Sequence, residues 1–208
     1  MLVDKIFEKF SKLIDEPITE LNYSNNFELM IAVMLSAQCT DKRVNIVTKE
    51  LFKKYPNLQA LADARLENVE NIIRSCNYYK SKSKNIISAS RQIIEKYNGE
   101  IPNNFEDLIK LDGIGRKTAN VILAVAFGIP TFPVDTHVFR VANRLGLTDA
   151  KNVLQSEKQL TQLVKRENWI KMHHYLILFG RYHCKALTPT CENCIFKDIC
   201  LKTKIKEN

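Results

Sequence analysis

Lys117 and Asp135 stand 18 residues apart, each behind a feature that suits it for chemistry. Lys117 follows Gly113, Gly115 and Arg116 in the stretch LDGIGRKTA. A Gly-x-Gly turn that opens a helix presents backbone N–H groups to a phosphate, because glycine allows positive φ and lets another backbone come close. A lysine placed there has two jobs open to it. It can touch phosphate as one cation among many, or it can attack carbon as a neutral amine, which requires a lowered pKa. The positive end of the helix dipole, the adjacent Arg116 and partial burial all act in that direction. Asp135 occupies an N-cap position, where a carboxylate is oriented and kept ionised. Twelve helical residues rise about 18 Å and eight extended ones reach about 26 Å, so Asp135 can return to the end of the helix that carries Lys117.

A second cluster of reactive side chains lies near the C-terminus. Cys184, Cys191, Cys194 and Cys200 are spaced C-x6-C-x2-C-x5-C, which predicts a metal centre. Spacing alone leaves zinc and an iron-sulfur cluster both open. Four thiolates complete either site, so His173, His174 and His183 read as structural or surface residues, and Cys39 and Cys76 as small buried ones.

The elements that must position these residues all carry helical periodicity, and no strand-like alternation persists; the fold class is all-α. Asn25 with Glu28 predicts a capping box before LMIAVMLSAQ, whose apolar surface suggests a central buried helix. Val44, Val47, Leu51 and Phe52 mark a face that stops before Pro56, Leu66 to Ile73 another, and Ile86 to Tyr97 a longer one ending at Asn98-Gly99. Asn103 and Glu106 are placed to cap a short helix through Lys110. The helix that opens at Arg116 should stop at Gly128, the segment Thr131 to Val134 should be extended, and further helices should cover Asp135 to Gly146, Leu160 to Val164 and Trp169 to Phe179.

Thirty-one Lys and Arg against 23 Asp and Glu give a net charge of +8, which favours a polyanionic partner such as nucleic acid. The opening residues alternate acids and bases and lack the apolar core of a signal peptide. No apolar stretch approaches the roughly 18 residues that span a bilayer. A soluble, cytoplasmic protein with no membrane partner is expected.

LDGIGRKTANVILAVAFG, then VDTHVFRVANRL, then the four-cysteine pattern resemble the endonuclease III family of bifunctional DNA glycosylases and abasic-site lyases. ELNYSNNFELMIAVMLSAQCTD and HHYLILFGRYHC are similar to it as well, so the resemblance covers nearly the whole chain. It implies a two-domain helix-hairpin-helix glycosylase fold. Residues 21–131 form a six-helix domain, while 1–20 and 132–208 form a discontinuous domain whose loop at 184–200 holds a [4Fe-4S] cluster. It further implies a monomer that binds duplex DNA at the cleft between the domains and removes oxidised or ring-saturated pyrimidines. Lys117 matches the family's nucleophile and Asp135 its catalytic carboxylate, and the strand is nicked 3′ to the abasic site by Schiff-base β-elimination. Gln38 matches the residue that fills the gap left by the flipped nucleotide. Gly113, Gly115 and Arg116 would hold phosphates, with Lys185 and Lys202, Lys204 and Lys206 as additional contacts.

Two positions depart from the family pattern. Asp112 stands where the hairpin usually has proline, and Asn77-Tyr78-Tyr79 replaces the wedge sequence G-L-Y or G-F-Y, making Tyr78 the wedge candidate. Two alternatives compete. One is an adenine-mismatch glycosylase of the same fold, which typically lacks the hairpin lysine; the other is a non-catalytic iron-sulfur module for DNA binding or electron transfer.

Overall fold

A computed structural model describes residues 1–201; Lys202, Lys204 and Lys206 lie outside the described residues. Every regular element among those described is helical. In chain order they are α1 (Leu2–Leu13), α2 (Asn26–Ser36), α3 (Asp41–Lys54), α4 (Leu58–Ala62), α5 (Leu66–Ile73) and α6 (Tyr79–Tyr97). There follow α7 (Phe105–Leu108), α8 (Arg116–Phe127), α9 (Thr136–Arg144), α10 (Val153–Leu163) and, after a 3₁₀ turn at Arg166–Asn168, α11 (Trp169–Tyr182). The chain divides into two compact units: Glu20–Ile129 with α2 to α8, and Met1–Thr19 with the described part of Pro130–Asn208, holding α1 and α9 to α11.

In the unit Glu20–Ile129, α2 is the core element. It buries Phe27 and every residue from Leu29 to Leu35, which explains why its sequence shows no polar face. Asn25 caps it through the Glu28 N–H, but the Glu28 carboxylate accepts from the Ser24 N–H at 2.7 Å, one residue before the position a capping box uses. Val44, Val47 and Leu51 of α3, Val69 and Ile73 of α5, Ile86, Ala89 and Ile93 of α6, and Ala119, Ile122 and Leu123 of α8 complete that core. The short α4 has no counterpart in the sequence pattern; one turn is too brief to show periodicity, and its start is set by the Asn57 side chain. The cap of α7 falls on Asn104 with Asp107, not Asn103 with Glu106, because this register buries Leu108 and lets Asp107 also bind Lys110. Asn98 and Gly99 end α6, and Gly128 ends α8, all with positive φ as the sequence requires.

In the other unit, Phe10 of α1 is fully buried. Its ring stacks on Tyr175 at 5.4 Å and lies 4.6 Å from Phe196, which ties α1 to α11 and to the cysteine-bearing segment. Helix α11 crosses α9 closely at Gly180, where a Cβ would stand 2.9 Å from that of His137. Helix α10 begins at Val153, well before the predicted Leu160, because the Asn152 side chain accepts from the Gln155 N–H.

Candidate active site

The hairpin before α8 is held from below by two buried apolar side chains, Leu111 and Ile114. Its two glycines serve different purposes. Gly113 has φ +78, and a Cβ there would lie 2.7 Å from the Asn85 Cβ, so this glycine is required by conformation and by contact with α6. Gly115 has φ −90, an ordinary value, and a Cβ on it would meet nothing within 4 Å. Gly113 thus uses the positive φ that glycine allows, and Gly115 the room that its missing side chain leaves. At Gly115 the N-terminus of α8 carries no side-chain cap, which leaves this edge of the helix open to an external acceptor.

Asp112, the departure from the family's proline, turns back onto α6. Ser88 Oγ donates to its carboxylate, and its N–H, which proline lacks, donates to Gln92 Oε1 at 2.9 Å. Arg116 is exposed, with its guanidinium 5.3 Å from the centre of the Phe105 ring. Lys117 lies in the first turn of α8 and is exposed, not half-buried as expected, since the apolar face of α8 begins two residues later at Ala119.

Gln38 and Tyr78 occupy two exposed turns of the same unit, after α2 and before α6. Both have left-handed backbones, φ 53 and φ 59. Asn77 Nδ2 joins the turns by donating to the Gln38 carbonyl at 2.7 Å.

In the unit that holds α9, Asp135 is the N-cap of that helix. Its Oδ1 accepts from the backbone N–H groups of His137 and Val138, both at 2.8 Å. The segment leading to it is pinned by the buried Phe132 and Val134 and by a 2.7 Å hydrogen bond between His173 Nδ1 and the Pro133 carbonyl. Helix α9 also anchors the cysteine loop. Arg140 Nε donates to the Cys184 carbonyl, while Arg144 Nη1 donates to the Cys184 Sγ at 3.3 Å and to the Lys185 carbonyl at 2.8 Å. Lys185 itself is exposed.

Cys184, Cys191, Cys194 and Cys200 line one cavity together with Arg144, Phe179 and His183. Burial pushes the Cys194 thiol up, and the charges of the other three cysteines add to that effect. Four thiols brought to one pocket are the donor set that iron or zinc cations take as thiolates. Among the described residues, no group of three or more His, Cys, Asp or Glu side chains is arranged to hold a metal ion as it stands.

Residues 31–166 match the HhH-GPD superfamily of base excision DNA repair proteins. Over 200 residues the chain is 48% identical to endonuclease III of Rickettsia felis, covering 96% of this chain and 93% of that one. The chain belongs to the endonuclease III family. It is also 47% identical to endonuclease III of Bacillus subtilis, over 95% of this chain and 91% of that one. A solved structure of a trapped endonuclease III–DNA covalent intermediate, in an estranged-adenine complex, matches with a TM-score of 0.94 at 44% identity, over 99% of this chain and 97% of that one. The family's members are DNA glycosylases with abasic-site lyase activity in base excision repair. No helix among the described residues is long and apolar enough to cross a membrane.

Three residues close to these features were not singled out by their sequence: Arg140, Arg144 and Lys82. Lys82 is 8% exposed although it sits in the run YKSKSK. Its place three residues after Tyr79 and four before Ile86 puts it on the inner face of α6, a signal that helical periodicity does carry.

Proposed function

We propose that this chain excises oxidised or ring-saturated pyrimidines from duplex DNA and nicks the resulting abasic site, with Lys117 as nucleophile and Asp135 as its carboxylate partner. The observation that carries this is the opening of α8: an exposed lysine in the first turn of an uncapped helix, beside a glycine that leaves room for a phosphate. A covalent DNA intermediate is known for the 44%-identical endonuclease III, which supports the same chemistry here.

In this mechanism Gly113, Gly115 and Arg116 hold the backbone without regard to sequence, and Lys185 adds a contact. The damaged nucleotide leaves the stack, Tyr78 wedges the duplex and Gln38 fills the gap. The neutral amine of Lys117 attacks C1′ as the base departs with its bonding electrons. Asp135, fixed as an N-cap acceptor, stabilises the positive charge that develops on the sugar. The nitrogen then loses a proton and its lone pair expels O4′ from C1′, the oxygen taking up a proton as the sugar ring opens; the resulting protonated Schiff base acidifies the C2′ proton, and removal of that proton expels the 3′ phosphate and breaks the strand.

Cys184, Cys191, Cys194 and Cys200 would hold the [4Fe-4S] cluster characteristic of the family, which would supply a rigid cross-link for the loop at 184–200. The enzyme works as a monomer in the cytoplasm, drawn to DNA by its net charge of +8.

Borohydride trapping on an abasic duplex tests the assignment. The wild-type chain should form a covalent adduct, and Lys117→Ala should form none while still binding the duplex. An adduct of equal yield in Lys117→Ala, or none from folded wild type, overturns it; the second outcome would favour a non-catalytic DNA-binding module.

A further inference from the structure

We propose that Lys82, together with Asn77, is a positioning residue that locks the Gln38 turn to the Tyr78 turn, so that the gap-filling and wedge side chains meet DNA as one preformed unit. The inference rests on the assignment of Gln38 and Tyr78 to those roles and extends it to residues that touch no DNA in that scheme.

The bonds at the end of α2 make the case. An α-helix leaves its last carbonyls without partners in the helix, and buried carbonyls must find others. In α2, Ser36 Oγ donates to the Val33 carbonyl and the Cys39 N–H to the Ser36 carbonyl. Lys82 Nζ adds two more bonds, donating to the Leu35 carbonyl at 2.7 Å and to the Ala37 carbonyl at 2.6 Å. An ammonium at the C-terminal end of a helix is also favoured by the dipole. The price is desolvation of a lysine, which lowers its pKa while Cys39 and Cys76 alongside act in the opposite direction.

A simple helix cap does not need a buried charge, since glycine or water serves. What Lys82 adds is a direct link between two turns far apart in sequence. The Ala37 carbonyl it grips immediately precedes Gln38, and Lys82 sits in the first turn of α6, just after Tyr78. Asn77 closes the loop from the other side by holding the Gln38 carbonyl. Gln38 and Tyr78 are both non-glycine residues in the left-handed region, a conformation that persists only where surrounding bonds fix it. Preset geometry of this kind means that little conformational freedom remains to be lost when the two side chains enter the duplex.

The test separates positioning from capping. A duplex carrying a tetrahydrofuran abasic analogue opposite 2-aminopurine reports, by fluorescence, how completely the opposing base is unstacked at saturating protein. Lys82→Met keeps the stem and removes the donor; Asn77→Ala is at an exposed position and leaves the core untouched, so it decides the matter should Lys82→Met fail to fold. Both variants should still saturate the DNA, yet reach about half the wild-type amplitude or less, as expected for a shifted population of inserted side chains. A role confined to capping α2 would lower the melting temperature and leave the amplitude unchanged, and that result in Asn77→Ala or in a folded Lys82→Met overturns the proposal. Gln38→Ala is the control for the underlying assignment: an undiminished amplitude there refutes gap filling by Gln38 itself, independently of the outcome for Lys82.

Discussion

Ser88 Oγ donates a hydrogen bond to the carboxylate of Asp112, so the hairpin that precedes Lys117 is fastened to α6 by a residue where the family usually has proline. With Asn85 beneath Gly113 and Gln92 accepting the Asp112 N–H, three side chains spaced along one face of α6 form its support. The carboxylate is exposed but hydrogen-bonded to α6, which gives the departure seen in the sequence a structural role. Ser88→Ala and Asp112→Ala should be coupled by about 1 kcal/mol in a double-mutant cycle. Asp112→Pro, which loses the carboxylate and the N–H together, should cost about 1–2 kcal/mol in urea unfolding despite matching the family pattern.

The two hairpin glycines should respond in opposite ways. Gly113→Ala meets both a positive φ and the Asn85 side chain, and should destabilise the fold by about 2 kcal/mol or more. Gly115→Ser places a hydroxyl at an N-cap that now has none, and should raise stability by about a few tenths of a kcal/mol. If phosphate approaches the backbone there, the same substitution should weaken DNA binding about tenfold, as expected for one lost charge-assisted contact. Thermal melting and fluorescence-anisotropy titration of one protein sample read both effects. Tighter DNA binding by Gly115→Ser would refute the phosphate role of this edge.

These contrasts mark what sequence can and cannot convey. The helices with long apolar patterns, α2, α3, α6 and α8, were legible because burial of one face repeats every three or four residues. The opening of α8 was legible because backbone geometry constrains residue types locally, and the cysteine cluster because its four members, close in sequence, line one cavity. The N-cap role of Asp135 was legible for the same reason, and its two backbone bonds are present. What was hidden depended on partners distant in the chain. The direction in which Asp112 turns is decided by Ser88 and Gln92, and the exposure of Lys117 by where the buried face of α8 begins. Among the lysines of YKSKSK, only the inward register of α6 distinguishes Lys82.

Arg144 links the cysteine loop to the helix that Asp135 caps, through the Cys184 sulfur and the carbonyls of Lys185 and Ala186. Donors to a cluster sulfur orient the ligand and tune the centre. Protein purified without oxygen should be yellow-brown with about four iron per chain. Arg144→Leu should release its iron several-fold faster in air than wild type, followed as loss of visible absorbance. One zinc per chain in the colourless wild-type protein would refute the cluster assignment.

His174 gives the fold a pH dependence of definite sign. Burial, and secondarily Arg181, lower its pKa to about 4 from the ordinary 6.5. The folded chain therefore keeps the imidazole neutral through a range in which the unfolded chain binds a proton. Proton uptake by the unfolded state makes stability fall as pH is lowered from about 6.5 towards about 4, with no further loss from this group below that. At pH 5 the deficit relative to pH 7 should be on the order of 2 kcal/mol from His174 alone. His174→Gln carries no titrating group at this position and should lose that part of the slope, whatever its stability at pH 7. Urea unfolding of both proteins at the two pH values reads the difference directly, and parallel slopes would show that His174 is protonated as readily in the folded chain as in the unfolded one.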